Sequence, residues 1–328
     1  MKLFLSIGFW LVLGFTGALA AESNLDPVQF AGKDYVRLTR WARINEFEVG
    51  WLKRDETLLL RRGANRIQVT VDSCEARING VQVMLVAPVA SHNGYLFVPL
   101  IDLEKTFPAI LSPPRLPAGA AIRTICLDPG HGGKDPGFSV RAREEKKYTL
   151  LLAQEVRQVL LKAGFKVTTT RARDETLELT DRAEIAKRQK ADLLISLHFN
   201  SAQAAAATVE GAEVYCLTPP GASSTNARGE GATNEKYPGN IQNDQNVFLA
   251  YQVQKAVTHG APAQDRGVRR ARFAVLRDAT MPAVLLEAGY MSHPAEGRRI
   301  FDAAQRKRLA RSIVEGIQAY QRAVQRAD

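Results

Sequence analysis

The stretch AIRTICLDPGHGGKDPGFSVRAREEKKYTLLLAQEVRQVLLKAGFKVTTTR, Ala121–Arg171, decides the fold class. It opens with a short apolar run, AIRTICLD, that suits a buried strand. KKYTLLLAQEVRQVLLKAG then carries apolar residues at helical spacing (Leu152, Val156, Val159, Leu160), with Gly164 as a stop signal. FKVTTTR is a second strand, rich in β-branched residues. The alternation continues. TDRAEIAKRQK reads as a helix opened by a D-x-x-E capping pattern at Asp181 and Glu184, and NVFLAYQVQKAVTHG as another helix. ADLLISLH, GAEVYCL, FAVLR and AVLLEAG read as strands, and Glu296–Gln325 as a final helix with Leu309, Ile313, Ile317, Tyr320 and Val324 on one face. Strands alternating with helices predict an α/β fold: a mostly parallel twisted sheet with helices on both faces.

Between the first strand and helix lies ICLDPGHGGKDPG, Ile125–Gly137, with four glycines, two prolines, two aspartates and one histidine. It is not a phosphate cradle. A P-loop needs Ser or Thr after Gly133-Lys134, and a dinucleotide loop needs a third glycine; Asp135 stands at both positions. Asp-Pro-Gly is turn chemistry, but a turn alone does not account for His131. In open parallel sheets ligands bind beyond the carboxyl ends of the strands. His131 follows the end of the first strand, His198 ends ADLLISLH, Glu287 ends AVLL, and Glu144 and Glu145 precede the first helix. Two histidines with two or three carboxylates at one rim match a catalytic His₂Glu zinc site with one carboxylate left free. The ligands are 14 and 53 residues apart, so no short-range motif carries this. The competing reading is a hydrogen-bonded core histidine and a capped strand end.

Ser112–Ala120, SPPRLPAGA, is a proline-rich linker. Before it, residues 22–111 read as a small β-rich domain: NRIQVTVD, EARI and VQVMLVAPV are strand-like, with turns at Asn79-Gly80 and Asn93-Gly94. Residues 121–328 form the larger domain. Residues 1–20 read as a signal peptide: Lys2, an apolar run Leu3–Phe15, and Ala18-Leu19-Ala20 as a cleavage pattern. The alternative is an uncleaved anchor, but Gly, Ser and Thr dilute the run. No later segment is long and apolar enough to span a bilayer, so the mature chain is expected in the periplasm or elsewhere in the cell envelope, or secreted. Three cysteines, Cys74, Cys126 and Cys216, are too few for a disulfide framework and lack the spacing of a thiolate zinc site. Export leaves the pairing of Cys74 and Cys216 open. The net charge is +10, and nearly all of the surplus lies past the linker. That half prefers anionic partners; with an export signal these are wall or membrane surfaces rather than nucleic acid. Pro219–Asn246 is a long Gly/Asn/Ser-rich loop of the kind that is functional or mobile.

Four blocks in order, ICLDPGHGGKDPG, EEKKYTLLLAQEV, LLISLHFNSA and RGVRRARFAVLRDATMPAVLLEAGYMSHPAE, resemble the zinc-dependent N-acetylmuramoyl-L-alanine amidases. The resemblance runs from Arg123 nearly to the end of the chain. It implies a Zn²⁺ ion held by His131, Glu145 and His198, with Glu287 as the catalytic acid and base; Glu145 fits the family spacing better than Glu144. It implies peptidoglycan as substrate, cut between N-acetylmuramic acid and L-alanine, with zinc activating a water and polarising the carbonyl. Asp128, Asp135 and Asn200 are candidates to orient the imidazoles, with turn bracing as the alternative for the aspartates. Arg269 and Arg270 are candidates for stem-peptide carboxylates, with a solvated face as the plainer reading. Some members block the zinc with an inserted helix until an activator removes it. The 219–246 loop lacks an apolar helical stripe and is expected to be a flexible loop; the need for an activator stays open. A zinc peptidase on the same fold and a non-catalytic wall-binding protein are the alternatives. The V-x-V-D and N-G-x-x-F-V-P-L pattern of the N-terminal part resembles the N-terminal repeat of copper amine oxidases and implies no copper chemistry.

Overall fold

The computed structural model describes residues 25–202, 206–226, 229–261 and 263–325. The expected signal peptide lies outside them. Turn chemistry organises the N-terminal part. It runs β1 (Val28–Phe30), β2 (Lys33–Arg37), α1 (Leu38–Ile44), β3 (Glu48–Lys53), β4 (Thr57–Arg62), β5 (Asn65–Thr70), β6 (Glu75–Ile78), β7 (Val81–Met84), β8 (Ala90–His92), β9 (Tyr95–Pro99), α2 (Leu100–Lys105) and α3 (Phe107–Leu111). The β6–β7 hairpin turns at Asn79 (φ 49°) and Gly80 (φ 86°), the pair of positive φ angles that a two-residue hairpin needs. β3 to β7 form an antiparallel meander, and β1, β2, β9 and β8 a separate small sheet.

Past the linker come β10 (Thr124–Pro129), a short hairpin of β11 (Ser139–Val140) and β12 (Arg143–Glu144), α4 (Glu145–Lys162), β13 (Lys166–Thr169), α5 (Leu179–Arg188), β14 (Leu193–Asn200), β15 (Ala212–Leu217), a 3₁₀ turn at Pro238–Gln242, α6 (Asn243–Gly260), β16 (Asp265–Ala271), α7 (Ala274–Arg277), β17 (Ala283–Tyr290), α8 (Pro294–Phe301) and α9 (Ala303–Val324). β13, β10, β14 and β17 are parallel neighbours; β15 is antiparallel to β17, and β16 parallel to β15. Alternate strand residues feed two cores. Ile125, Leu127, Leu193, Ile195, Leu197, Val284 and Leu286 pack with α4, α6 and α9. Cys126, Leu194, Ala283 and Leu285 pack with α5 and α7 on the other face. α4 buries Tyr148, Leu152, Val156 and Leu160, one residue per helical turn.

Three sequence expectations change. FAVLR is not a strand: Ala274–Arg277 is one helical turn. The strand is Asp265–Ala271, whose four charged residues hide it from a hydrophobic pattern. The final helix breaks at Asp302, whose carboxylate accepts a hydrogen bond from Gln305 N and caps α9. α5 begins at Leu179, ahead of Asp181, without a side-chain cap. Cys74, Cys126 and Cys216 are all free thiols; burial pushes the Cys126 thiol up to about 12. Among the described residues no helix is long and apolar enough to cross a membrane.

The linker does not hold the two parts apart in space. β7 pairs in parallel with β16, Val83 opposite Val268, so one 11-stranded sheet runs through both parts. Gln82 N donates to Asp265 Oδ2 (2.8 Å) and Tyr251 OH to the Ile78 carbonyl (3.2 Å). Arg270, expected to be solvated, is buried at this junction. It donates to Thr106 Oγ1 (2.9 Å) and to the carbonyls of Lys105 (3.3 Å) and Leu217 (3.2 Å). Thr106 Oγ1 in turn donates to Asp102 Oδ1 (2.9 Å), and Val86 N to Asp102 Oδ2 (2.9 Å). Burial pushes the Asp102 carboxyl up to about 6, against the pull of the Val86 amide and Arg270. A raised folded-state value favours the fold at low pH, and that contribution is lost as pH climbs from about 4 through about 6. The stability of the wild type relative to Asp102→Asn should therefore fall by about 1–3 kcal/mol between about pH 4 and pH 7. Denaturation midpoints of both proteins across that range check it; parallel profiles would refute it.

Candidate metal centre

β10 ends at Pro129, and the chain must reverse at the rim. Two buried arginines hold that reversal by its carbonyls. Arg171, after β13, donates to Pro129 O (3.0 Å) and Gly130 O (2.8 Å). Arg182, from α5, donates to Pro129 O (3.0 Å) and His131 O (3.0 Å). His131 takes φ 61°, in the left-handed region, which swings its side chain over the sheet edge. The glycines clear space for the side chains that converge at this rim. A Cβ at Gly130 would lie 2.2 Å from His198 Cε1, and one at Gly137 would lie 2.6 Å from both Glu145 Oε2 and His131 Cδ2.

Glu145 is the first residue of α4 and is 4% exposed. Its Oε1 lies 3.0 Å from His131 Nε2 and 3.1 Å from His198 Nδ1. Oε1 also accepts from Phe199 N (3.1 Å), and Oε2 from Phe138 N (3.0 Å), so the carboxylate cannot swing away. One ligand atom from each of His131, Glu145 and His198 falls within a single 4.8 Å cluster. Glu144 stays outside, beside Lys146 (3.5 Å). Asp135 Oδ2 lies 2.7 Å from His131 Nδ1. A proton held there leaves Nε2 as a lone-pair donor. Burial would raise the Glu145 carboxyl, but hydrogen bonds to the two imidazoles outweigh it and hold it well below the usual range. For His131 burial favours the neutral ring, and the hydrogen bonds to Glu145 and Asp135 reverse the sign.

Glu287 sits on β17 directly opposite His198 on β14. Its Oε2 is closed off from solvent and has no hydrogen-bond partner among the described residues. Burial, then the charges of Glu145 and Glu213, raise its carboxyl well above the ordinary value. The other anticipated residues divide. Asp135 alone touches an imidazole. Asp128 is buried and accepts from Thr170 Oγ1 (2.6 Å), Ser196 Oγ (2.7 Å) and Arg182 Nη1 (2.8 Å), so it anchors the arginine that holds the turn. Asn200 Nδ2 donates to Glu213 Oε1 (2.8 Å) rather than to a histidine. Arg269 is not on a solvated face: its Nε lies 2.8 Å from Glu213 Oε2. Glu213 is the residue that sequence reasoning missed. It is opposite Glu287 on β15 and 3% exposed. The signal was available as the only charge within GAEVYCL. The described residues of the 219–246 loop form no helix before the 3₁₀ turn at Pro238. The loop is stitched down rather than loose: Thr225 N donates to Arg270 O (2.9 Å), and Arg272 donates to Ala222 O (2.6 Å) and Gly231 O (2.9 Å).

Residues 125–319 match the family model described as N-acetylmuramoyl-L-alanine amidase, and residues 18–112 match the copper amine oxidase N-terminal domain. The chain is 32% identical over 235 residues to the N-acetylmuramoyl-L-alanine amidase AmiA of Escherichia coli, covering 64% of this chain and 80% of that one. It is 33% identical over 201 residues to the probable cell wall amidase LytH of Staphylococcus epidermidis, covering 60% of this chain and 58% of that one. Among solved structures, the N-acetylmuramoyl-L-alanine amidase of Clostridium difficile superposes with a TM-score of 0.51 at 30% identity, over 61% of this chain and 97% of that one. AmiC2 of Nostoc punctiforme does so with a TM-score of 0.51 at 30% identity, over 62% of this chain and 98% of that one. By this match, its strand order and its convergent His-Glu-His group, the chain belongs to the N-acetylmuramoyl-L-alanine amidase family.

Proposed function

We propose that this protein is a zinc amidase of the cell envelope that hydrolyses the amide between the lactyl group of N-acetylmuramic acid and L-alanine in peptidoglycan. The observation that carries it is the convergence of His131 Nε2 and His198 Nδ1 on Glu145 Oε1, at 3.0 and 3.1 Å. Neighbouring ligands of a tetrahedral zinc stand about 3.3 Å apart at bond lengths of about 2.0–2.1 Å, so the donor set suits that ion with little movement. An apolar leader ahead of the mature chain supports action in the envelope.

His131, Glu145 and His198 would hold the zinc, and Asp135 fixes the tautomer of His131. When bound, zinc supplies Lewis acidity that polarises the scissile carbonyl and makes water nucleophilic near neutral pH. Glu287 has an oxygen at the rim without a hydrogen-bond partner among the described residues and a raised carboxyl value, so it can take the proton of the attacking water and deliver it to the departing amine. Arg171 and Arg182 keep the His131 turn rigid during turnover.

Glu287→Gln should keep fold and metal while lowering kcat by about 10²–10⁴-fold on purified peptidoglycan; wild-type turnover would sink the assignment. A chelator should abolish activity and added zinc restore it, read by release of soluble peptide with a free N-terminal alanine. Cleavage elsewhere in the peptide would mark a peptidase instead. Asp135→Asn should weaken zinc affinity by about 10–100-fold in a competitive chelator titration. An unchanged affinity would show that Asp135 only braces its turn.

A further inference from the structure

Among the described residues the hydrogen-bond and ion-pair partners of Glu213 do not include the histidines. Glu213 is held by Asn200 Nδ2 (2.8 Å), Tyr215 OH (2.8 Å), Arg266 Nε (3.2 Å) and Arg269 Nε (2.8 Å). Two guanidiniums, those of Arg266 and Arg269, therefore face the one Glu213 carboxylate. Arg269 is committed elsewhere, since its Nη1 donates to Thr225 O (2.9 Å). Arg266 is not. Its guanidinium carbon lies 5.2 Å from the Tyr290 ring centre, and its side chain is 27% exposed. Among the described residues its Nη1 and Nη2 have no hydrogen-bond partner. An arginine pinned by a buried acid at Nε, and by a ring at its face, has lost its rotamer freedom before any ligand arrives. The remaining Nη pair is shaped for a carboxylate.

The strand order gives this arginine a place relative to the reaction. The histidines come from the β10–β14 side, Glu287 lies on β17, and β15 and β16 come next in the sheet. A peptide whose released amine meets Glu287, and which runs on across the sheet away from the histidines, passes over β15 and β16. Arg266 lies two strands beyond Glu287, about 10 Å away at about 4.8 Å per strand. In an extended peptide the residue after the alanine carries its carboxylate about 7 Å from the released amine, at about 3.5 Å per residue. The arginine side chain closes the remainder.

We propose that Arg266 is a specificity-determining residue that binds a free carboxylate on the second residue of the stem peptide, directly after the alanine. The inference rests on the proposed amidase activity. The test uses the zinc-loaded full chain and two soluble muramoyl-L-alanyl peptides, one with that carboxylate free and one with it converted to a carboxamide. Wild type should favour the free carboxylate by about 10–100-fold in kcat/KM. Arg266→Met should bring the ratio close to one, and Arg266→Lys, which keeps the charge but loses the fork, should leave an intermediate ratio. A wild type that treats the two alike overturns the proposal, as does either folded, zinc-loaded variant that keeps the full wild-type preference. A wild type that cleaves neither overturns the amidase reading itself, and the carboxylate site with it.

Discussion

The site depends on one register. β14, β17 and β15 are paired so that His198, Glu287 and Glu213 stand in a single row across three strands. Side chains alternate along a strand, so a one-residue slip of β17 would send Glu287 to the opposite face. The slip is resisted from both faces. Val284 and Leu286 pack against α4, α6 and α9, while Ala283 and Leu285 pack toward α5 and α7. The cores therefore fix the chemistry: burying these apolar residues correctly is what aims the carboxylates and the imidazole.

Against that row the first loop delivers His131, and α4 delivers Glu145. Most polar groups at the rim have hydrogen-bond partners among the described residues. Asp128 anchors Arg182, which holds the His131 turn by its carbonyls, and Asn200 and Arg269 hold Glu213. An unpaired charge at such depth would be costly, so the acids come with compensating cations or hydrogen-bond donors. Glu287 Oε2 departs from this rule: among the described residues it is buried without a hydrogen-bond partner, beside the His131, Glu145 and His198 cluster.

β16 links the two parts of the chain. Its first residues, Asp265 and Arg266, meet β7 and Glu213, and its later Arg270 enters the junction with the N-terminal part. An open edge of β16 would present unpaired backbone groups; β7 covers it and extends the sheet. The solved amidases that match this chain span only about three-fifths of it. The N-terminal part is thus an addition seated on the strand that carries the Arg266 and Arg269 side chains.

Much of the fold was legible in the sequence, because periodic burial leaves a periodic trace. The alternation of strands and helices, the stripe on α9, and the strand ends bearing His131, His198 and Glu287 all come from local apolar spacing. What lay beyond it was non-local. Four charged residues in β16 break the apolar pattern, and only partners far away in sequence, Asp265 with Gln82 and Arg270 with Thr106, make that strand possible. Asp135 and Asn200 looked alike as polar neighbours of the histidines, and distance alone separated the one that touches an imidazole from the one that holds Glu213. The sequence by itself determined the fold class and the residues that could bind a metal. The tertiary structure decided which of them meet, because register and loop closure are set by contacts between residues that local pattern cannot connect.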